Sequence, residues 1–168
     1  MYENTDFITN ENENTLSKRI KELLAASKRF AALSGYFCVS GFHVIADAAK
    51  DVQQVRILIG MAADPSAHFV LEQARSVKEH DRTAREAVDE YGHSILQELE
   101  TAEDDLVTDA SAREFFEWVS SGRAVVRIFP RRPLHAKLYV FTFKGGAMDR
   151  GRAITGSSNL TASGLDSN

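Results

Sequence analysis

The sequence holds one cysteine, Cys38, which excludes an intrachain disulfide and a cysteine-rich zinc site. No run of apolar residues approaches the ~20 needed to span a bilayer. The opening stretch, MYENTDFITNENEN, is acidic and polar, the opposite of a signal peptide, so the expected location is cytoplasmic, with no membrane partner. There is no internal repeat, and no G-x-S-x-G turn to build a serine hydrolase around Ser157-Ser158. Only three prolines occur, and two of them frame Pro130-Arg131-Arg132-Pro133, a segment that cannot continue a central ladder and is expected to be a loop.

What is present suits one domain over residues 1–168, with residues 1–12 as a mobile arm. The chain stops just after a motif-like stretch, at Asp166-Ser167-Asn168, which reads as a domain excised from a longer protein. Its net charge of −4 does not mark a polyanion binder, but the charge is unevenly spread. Residues 123–154 carry eight basic side chains against Asp149 alone, a net of +7; residues 1–122 carry 12 basic and 22 acidic ones, a net of −10. Two readings compete: ordinary strand-edge solubility, and a local field that attracts phosphate.

Periodicity outlines an α/β fold. Leu16, Ile20, Leu23 and Leu24 recur at helical spacing between Glu13 and Ser27. Phe30–Val39 reads as a buried strand broken by Gly41, and Phe42–Lys50 as a short helix with Val44, Ile45 and Ala48 inward. Val55–Gly60 is a second strand, implying a parallel pair with a right-handed crossover. Ser66 is placed to cap either one helix from about Ala67 to Leu99 or the first of two helices meeting at Gly92. Ser111-x-x-Glu114 reads as a capping box opening a helix with Phe115, Phe116 and Val119 inward, ended by Gly122. Ala124–Phe129 is the next strand. The expected architecture is a mixed, largely parallel sheet flanked by helices.

The chemistry concentrates between Leu134 and Leu165. His135 and Lys137 stand at the start of the apolar run Leu138–Phe141 and, two apart on a strand, share one face. A hairpin-like Lys144-Gly145-Gly146-Ala147 and a short return at Ala153-Ile154 lead to Gly156-Ser157-Ser158-Asn159. An imidazole, an ammonium, a hydroxyl and an amide converging at one strand edge suit an anionic phosphate ester. His68, His80 and His93 read as solvated helix positions, and Cys38, despite nearby His43, as core packing rather than a thiol nucleophile.

His135-x-Lys137 followed by Gly156-Ser157-x-Asn159 resembles the phospholipase D superfamily, whose pattern is H-x-K-x4-D-x6-G-S-x-N. Leu160-Thr161 and Gly164-Leu165 are similar to phospholipase D-like domains attached to helicases and restriction systems, and Gly35-Tyr36-Phe37 to the family's first core strand. Two departures stand out. Thr142 occupies the Asp position, with Asp149 as a possible substitute, and 18 residues separate Lys137 from Gly156 where the pattern has 11. The resemblance implies a phospholipase D-like fold and a metal-independent, cofactor-free phosphodiesterase working through a phosphohistidine. His135, Lys137 and Asn159 would be catalytic, with Ser157, Ser158, Arg131 and Arg132 binding substrate. It implies nucleic acid, foremost DNA, as substrate, and a helicase domain in the full-length chain. A catalytically inactive binding or assembly module is the alternative, and a phospholipid phosphodiesterase the third reading. Two-histidine chemistry with one motif per chain implies a homodimer.

Overall fold

A computed structural model describes residues 8, 10, 14–63, 71, 109–129, 134–145 and 149–166. Helix α1, Leu16–Ala26, buries Leu16, Ile20, Leu23 and Leu24, the stripe its spacing predicts. Each such side chain removed from water contributes about 1.5–3 kcal/mol. Thr15 caps the helix by accepting from the Lys18 N–H at 3.3 Å, and the Asn10 side-chain oxygen accepts from the Leu16 N–H at 2.7 Å. Asn10 therefore belongs to a helix entrance, although the rest of the expected N-terminal arm, Ile8 apart, lies outside the described residues.

Strand β1, Ser27–Phe37, follows directly, then helix α2, Val39–Ala46, a 3-10 turn at Asp47–Ala49, and strand β2, Gln54–Ala63. Gly41 was expected to break structure; instead it sits inside α2. A Cβ there would lie 2.3 Å from the Leu160 carbonyl oxygen, so glycine is needed for close approach rather than for a turn. Helix α2 buries Val39, Phe42, Ile45 and Ala46, whereas Val44, and Ala48 in the 3-10 turn, are only half-buried. The helix expected over residues 67–99, with His68, His80 and His93, lies outside the described residues except for Leu71, which is helical and half-buried.

Helix α3, Asp109–Ser120, buries Phe115, Phe116 and Val119 as the pattern predicts. It begins before Ser111, which therefore lies inside the helix and not at its N-cap; its hydroxyl lies 2.6 Å from Nδ1 of His43 and links α3 to α2. Gly122 closes the helix at φ 81, a left-handed conformation that suits glycine. Strands β3, Ala124–Ile128, β4, Leu138–Phe143, and β5, Gly151–Thr155, complete the sheet, and helix α4, Ala162–Asp166, ends the described chain.

The strand order is β3-β2-β1-β4-β5. Pairing is parallel across β3, β2 and β1 and antiparallel across β1, β4 and β5, so four of the five strands run the same way. This is the mixed, largely parallel α/β sheet read from the sequence. One face carries the core, where Phe30 packs on Tyr139 and Phe141, and Phe42 on Phe115 and Trp118. Among the described residues no helix is long and apolar enough to cross a membrane.

Among the described residues, the basic cluster read from residues 123–154 does not gather at one place. Arg123 lies over the Trp118 ring and donates to the carbonyls of Ala49, Lys50 and Val52, a structural clamp. Arg152 pairs with Asp149, and Lys144 lies 3.9 Å from Asp51. Arg123 precedes β3, Lys144 follows β4 and Arg152 lies in β5.

Two outcomes follow from this packing. Gly41→Ala should cost about 1–3 kcal/mol, because backbone must move to admit the methyl group; an unchanged urea midpoint would refute the close approach. Burial pushes the Tyr139 phenol up from its ordinary value of about 10. The folded chain then keeps a proton that the unfolded chain gives up, so this contribution is intact below pH ~10 and declines above it. Tyr139→Phe should flatten the alkaline loss of stability in melts between pH 9 and 12.

Candidate active site

The site forms where the pairing of β1 with β2 is irregular. Ser34 stands beside Ile59 and Tyr36 beside Ala62, so the extra residue of the bulge lies in β2, opposite Gly35, while Ser34 and Phe37 of β1, three residues apart, are both fully buried. Between them Gly35 is buried and Tyr36 is exposed. Gly35 has no side chain, and three groups fill the place where one would stand. His135 Cδ2 lies 3.1 Å from the position of a Cβ at Gly35, the Asn159 side-chain oxygen 3.2 Å, and Lys137 Nζ 3.6 Å.

Each of the three is held from a different direction. His135 is exposed and Lys137 is only 4% exposed. Lys137 Nζ is hydrogen-bonded to Nε2 of His135. An ammonium only donates, so Nε2 presents its lone pair to that contact. The Lys137 carbonyl accepts from the Thr155 hydroxyl at 3.2 Å and the Gly156 N–H at 3.4 Å, which joins the start of β4 to the end of β5. Leu134 donates its N–H to the Gly60 carbonyl at 2.8 Å, which carries the segment before His135 across the end of β2.

Asn159 is fixed by β1 itself. Its side-chain oxygen accepts from the Tyr36 N–H at 3.0 Å, which assigns the NH2 end of the amide as a donor. Ser34 braces the same turn: its hydroxyl accepts from the Leu160 N–H at 2.8 Å and donates to the Tyr36 carbonyl at 2.6 Å. Its 3.4 Å contact with the Asn159 oxygen is the longer one, and a single hydroxyl proton cannot serve both acceptors. Cys38 N–H donates to the Leu160 carbonyl at 3.3 Å, one residue beyond Asn159.

The predicted residues are thus partly assembled. His135, Lys137 and Asn159 meet at Gly35. Ser157 is exposed, and Ser158 is half-buried with its carbonyl accepting from the Tyr139 hydroxyl at 2.8 Å. Both serines line a cavity of about 470 Å³ on the α1 side, whose guanidiniums, Arg19 and Arg152, are paired with Glu22 and Asp149. Arg131 and Arg132 lie outside the described residues. Among the described residues no group of three His, Cys, Asp or Glu side chains is placed to hold a metal ion.

The departure at Thr142 acquires a geometric meaning. Thr142 pairs with Arg29 near the far end of β1, five residues beyond Lys137 and so roughly 16 Å from it along the strand. A carboxylate at that position would not reach His135 of the same chain. Asp149 does not substitute for it, being engaged with Arg152 at the hairpin. Sequence reasoning missed Ser34 and the backbone of Gly35 and Tyr36 as parts of the site. The available signal was a glycine inside a buried strand pattern, which marks close approach of other groups.

No protein-family model matches the chain, and comparison with curated proteins finds no significant relative.

Gly35→Ala should crowd His135 and Asn159 by a few tenths of an ångström. Binding of inorganic phosphate should weaken several-fold while the melting temperature changes by only a few degrees. Unchanged phosphate binding would show that the three groups do not act from this position.

Proposed function

We propose that this chain is a phosphodiesterase that cleaves nucleic-acid strands, DNA foremost, through a phosphohistidine intermediate. The observation that supports it most is the meeting of His135, Lys137 and Asn159 at Gly35, near the carboxyl end of β1. A phosphodiester resists attack because it is anionic and its alkoxide leaves poorly. An ammonium and an amide NH2 beside the phosphate offset the first difficulty, and proton donation to the leaving oxygen offsets the second.

Incoming phosphate oxygens take hydrogen bonds from Lys137, which frees the Nε2 lone pair of His135. Nε2 attacks phosphorus, and the N–P bond forms as the P–O bond to the leaving alkoxide breaks. A second, protonated imidazole gives its proton to that oxygen. Water then attacks phosphorus, the second imidazole takes the proton from it, and the N–P bond breaks to restore His135. Lys137 and Asn159 hold the equatorial oxygens throughout.

The second imidazole has to come from elsewhere, because H-x-K occurs once in the sequence. An isologous dimer supplies it by bringing two copies of His135 to one cleft, roughly 5–7 Å apart if each stands ~3 Å from the same phosphorus. The single motif is also what favours the second reading, a non-catalytic module that binds nucleic-acid phosphates without cleaving them.

Plasmid and oligonucleotide cleavage in EDTA separates the two. Wild-type protein should cut, and His135→Ala should abolish cutting with the fold intact by circular dichroism. Lys137→Ala and Asn159→Ala should each lower the rate by at least about 100-fold. Cleavage that requires a metal and survives His135→Ala would overturn the mechanism. Wild-type dimers mixed with His135→Ala chains should lose activity more than proportionally.

A further inference from the structure

The face of the sheet opposite the core is apolar at its centre and basic across its width. Leu138 and Val140 are 37% exposed there, and with Leu33 and Leu58 they line a shallow groove of about 510 Å³. None of the five strands contains an aspartate or glutamate. The same face carries three exposed arginines, Arg29, Arg56 and Arg127, and none of them forms an ion pair among the described residues.

Register places these arginines on a diagonal. Arg127 of β3 stands beside Leu58, two residues beyond Arg56 on β2; Arg56 stands beside Ala31, two residues beyond Arg29 on β1. One strand across and two residues along separates successive arginines by about 8 Å at Cα. At the end nearest the active site, the diagonal meets two exposed aromatic rings. Phe129, 39% exposed, follows β3 two residues after Arg127, and Tyr36, 36% exposed, adjoins Gly35. Between them, Leu134 crosses the end of β2 on its way to His135.

We infer that this face is a track for single-stranded nucleic acid, running from Arg29 across Arg56 and Arg127 to the aromatic pair beside the catalytic groups. The inference deepens the nucleic-acid reading above and rests on it. Guanidiniums in series neutralise consecutive phosphates, while the leucines and valine between them, and the two rings, gain contact only from the faces of bases. A duplex hides those faces in its stack; a single strand exposes them. A second copy laid face to face would instead set the same guanidiniums of both chains against one another, with no carboxylate from any strand between them. The dimer required by the chemistry needs to join only the strand-end edge where His135 lies.

The test uses the whole chain and a labelled oligothymidylate of about twenty nucleotides, followed by fluorescence anisotropy. Arg56→Gln with Arg127→Gln should weaken binding by about tenfold or more, and should lower the slope of log K against log salt by about 1.4, two single-strand phosphate contacts. Arg56→Lys with Arg127→Lys should retain most of the affinity, and Phe129→Ala should lose part of it. A duplex of equal length should bind more weakly than the single strand. Hydrolysis of bis(p-nitrophenyl) phosphate, too small to reach the track, should be the same in wild type and arginine variants. Unchanged oligothymidylate affinity in the glutamine variant, or tighter binding of the duplex, would overturn the inference. So would a wild-type dimer that the glutamine variant dissociates in sedimentation without nucleic acid, since the face would then belong to a second copy. Should wild type fail to hydrolyse the small diester while the arginine dependence holds, the catalytic reading falls and the track stands.

Discussion

The bulge at Gly35 is the constraint on which the site depends. A regular strand would keep strict alternation and would send either Ser34 or Phe37 out of the core. Here β2 carries an extra residue opposite Gly35, both side chains of β1 are buried, and the backbone between them meets groups from β4 and from the turn after β5. Tyr36 contributes an N–H, Ser34 a hydroxyl and Gly35 an empty volume. The ligands of the Asn159 turn are therefore backbone or buried groups of the central strand, which the core holds in place.

Topology explains why segments more than twenty residues apart arrive together. Strand β1 has a parallel neighbour on one side and an antiparallel one on the other. Its carboxyl end consequently lies beside the beginning of β4, where His135 and Lys137 enter, and beside the end of β5, from which Gly156–Asn159 departs. Ligand sites outside the carboxyl ends of strands are a general property of open α/β sheets. Here an antiparallel insertion adds the start of a strand to that edge.

The sequence revealed elements whose packing is local. The leucine stripe of α1, the phenylalanines of α3 and the alternation of β4 all have periods that a single side of core imposes. His135, Lys137 and Asn159 were visible because their side chains carry the chemistry. What escaped was set by contacts remote in sequence. Gly41 looked like a breaker, because nothing nearby reveals that Leu160 will press against it. Ser111 looked like a cap, because its partner His43 is 68 residues away. The clustered arginines after residue 122 looked like one field, yet Arg123 and Arg152 point into separate structural roles. The diagonal of Arg29, Arg56 and Arg127 could not be read at all, since it exists only through the register of three strands.

The β4–β5 hairpin turns back at the end of the sheet opposite the active site, where the Phe143 N–H donates to the Arg150 carbonyl at 3.0 Å. Its length is thereby uncoupled from the position of every catalytic group. Adding residues to such a turn costs little, growing only with the logarithm of loop length. The distance in sequence between Lys137 and Gly156 thus measures the hairpin and carries no information about the cleft. The same turn is a natural point at which evolution or an engineer can graft a further module without disturbing chemistry at the other end.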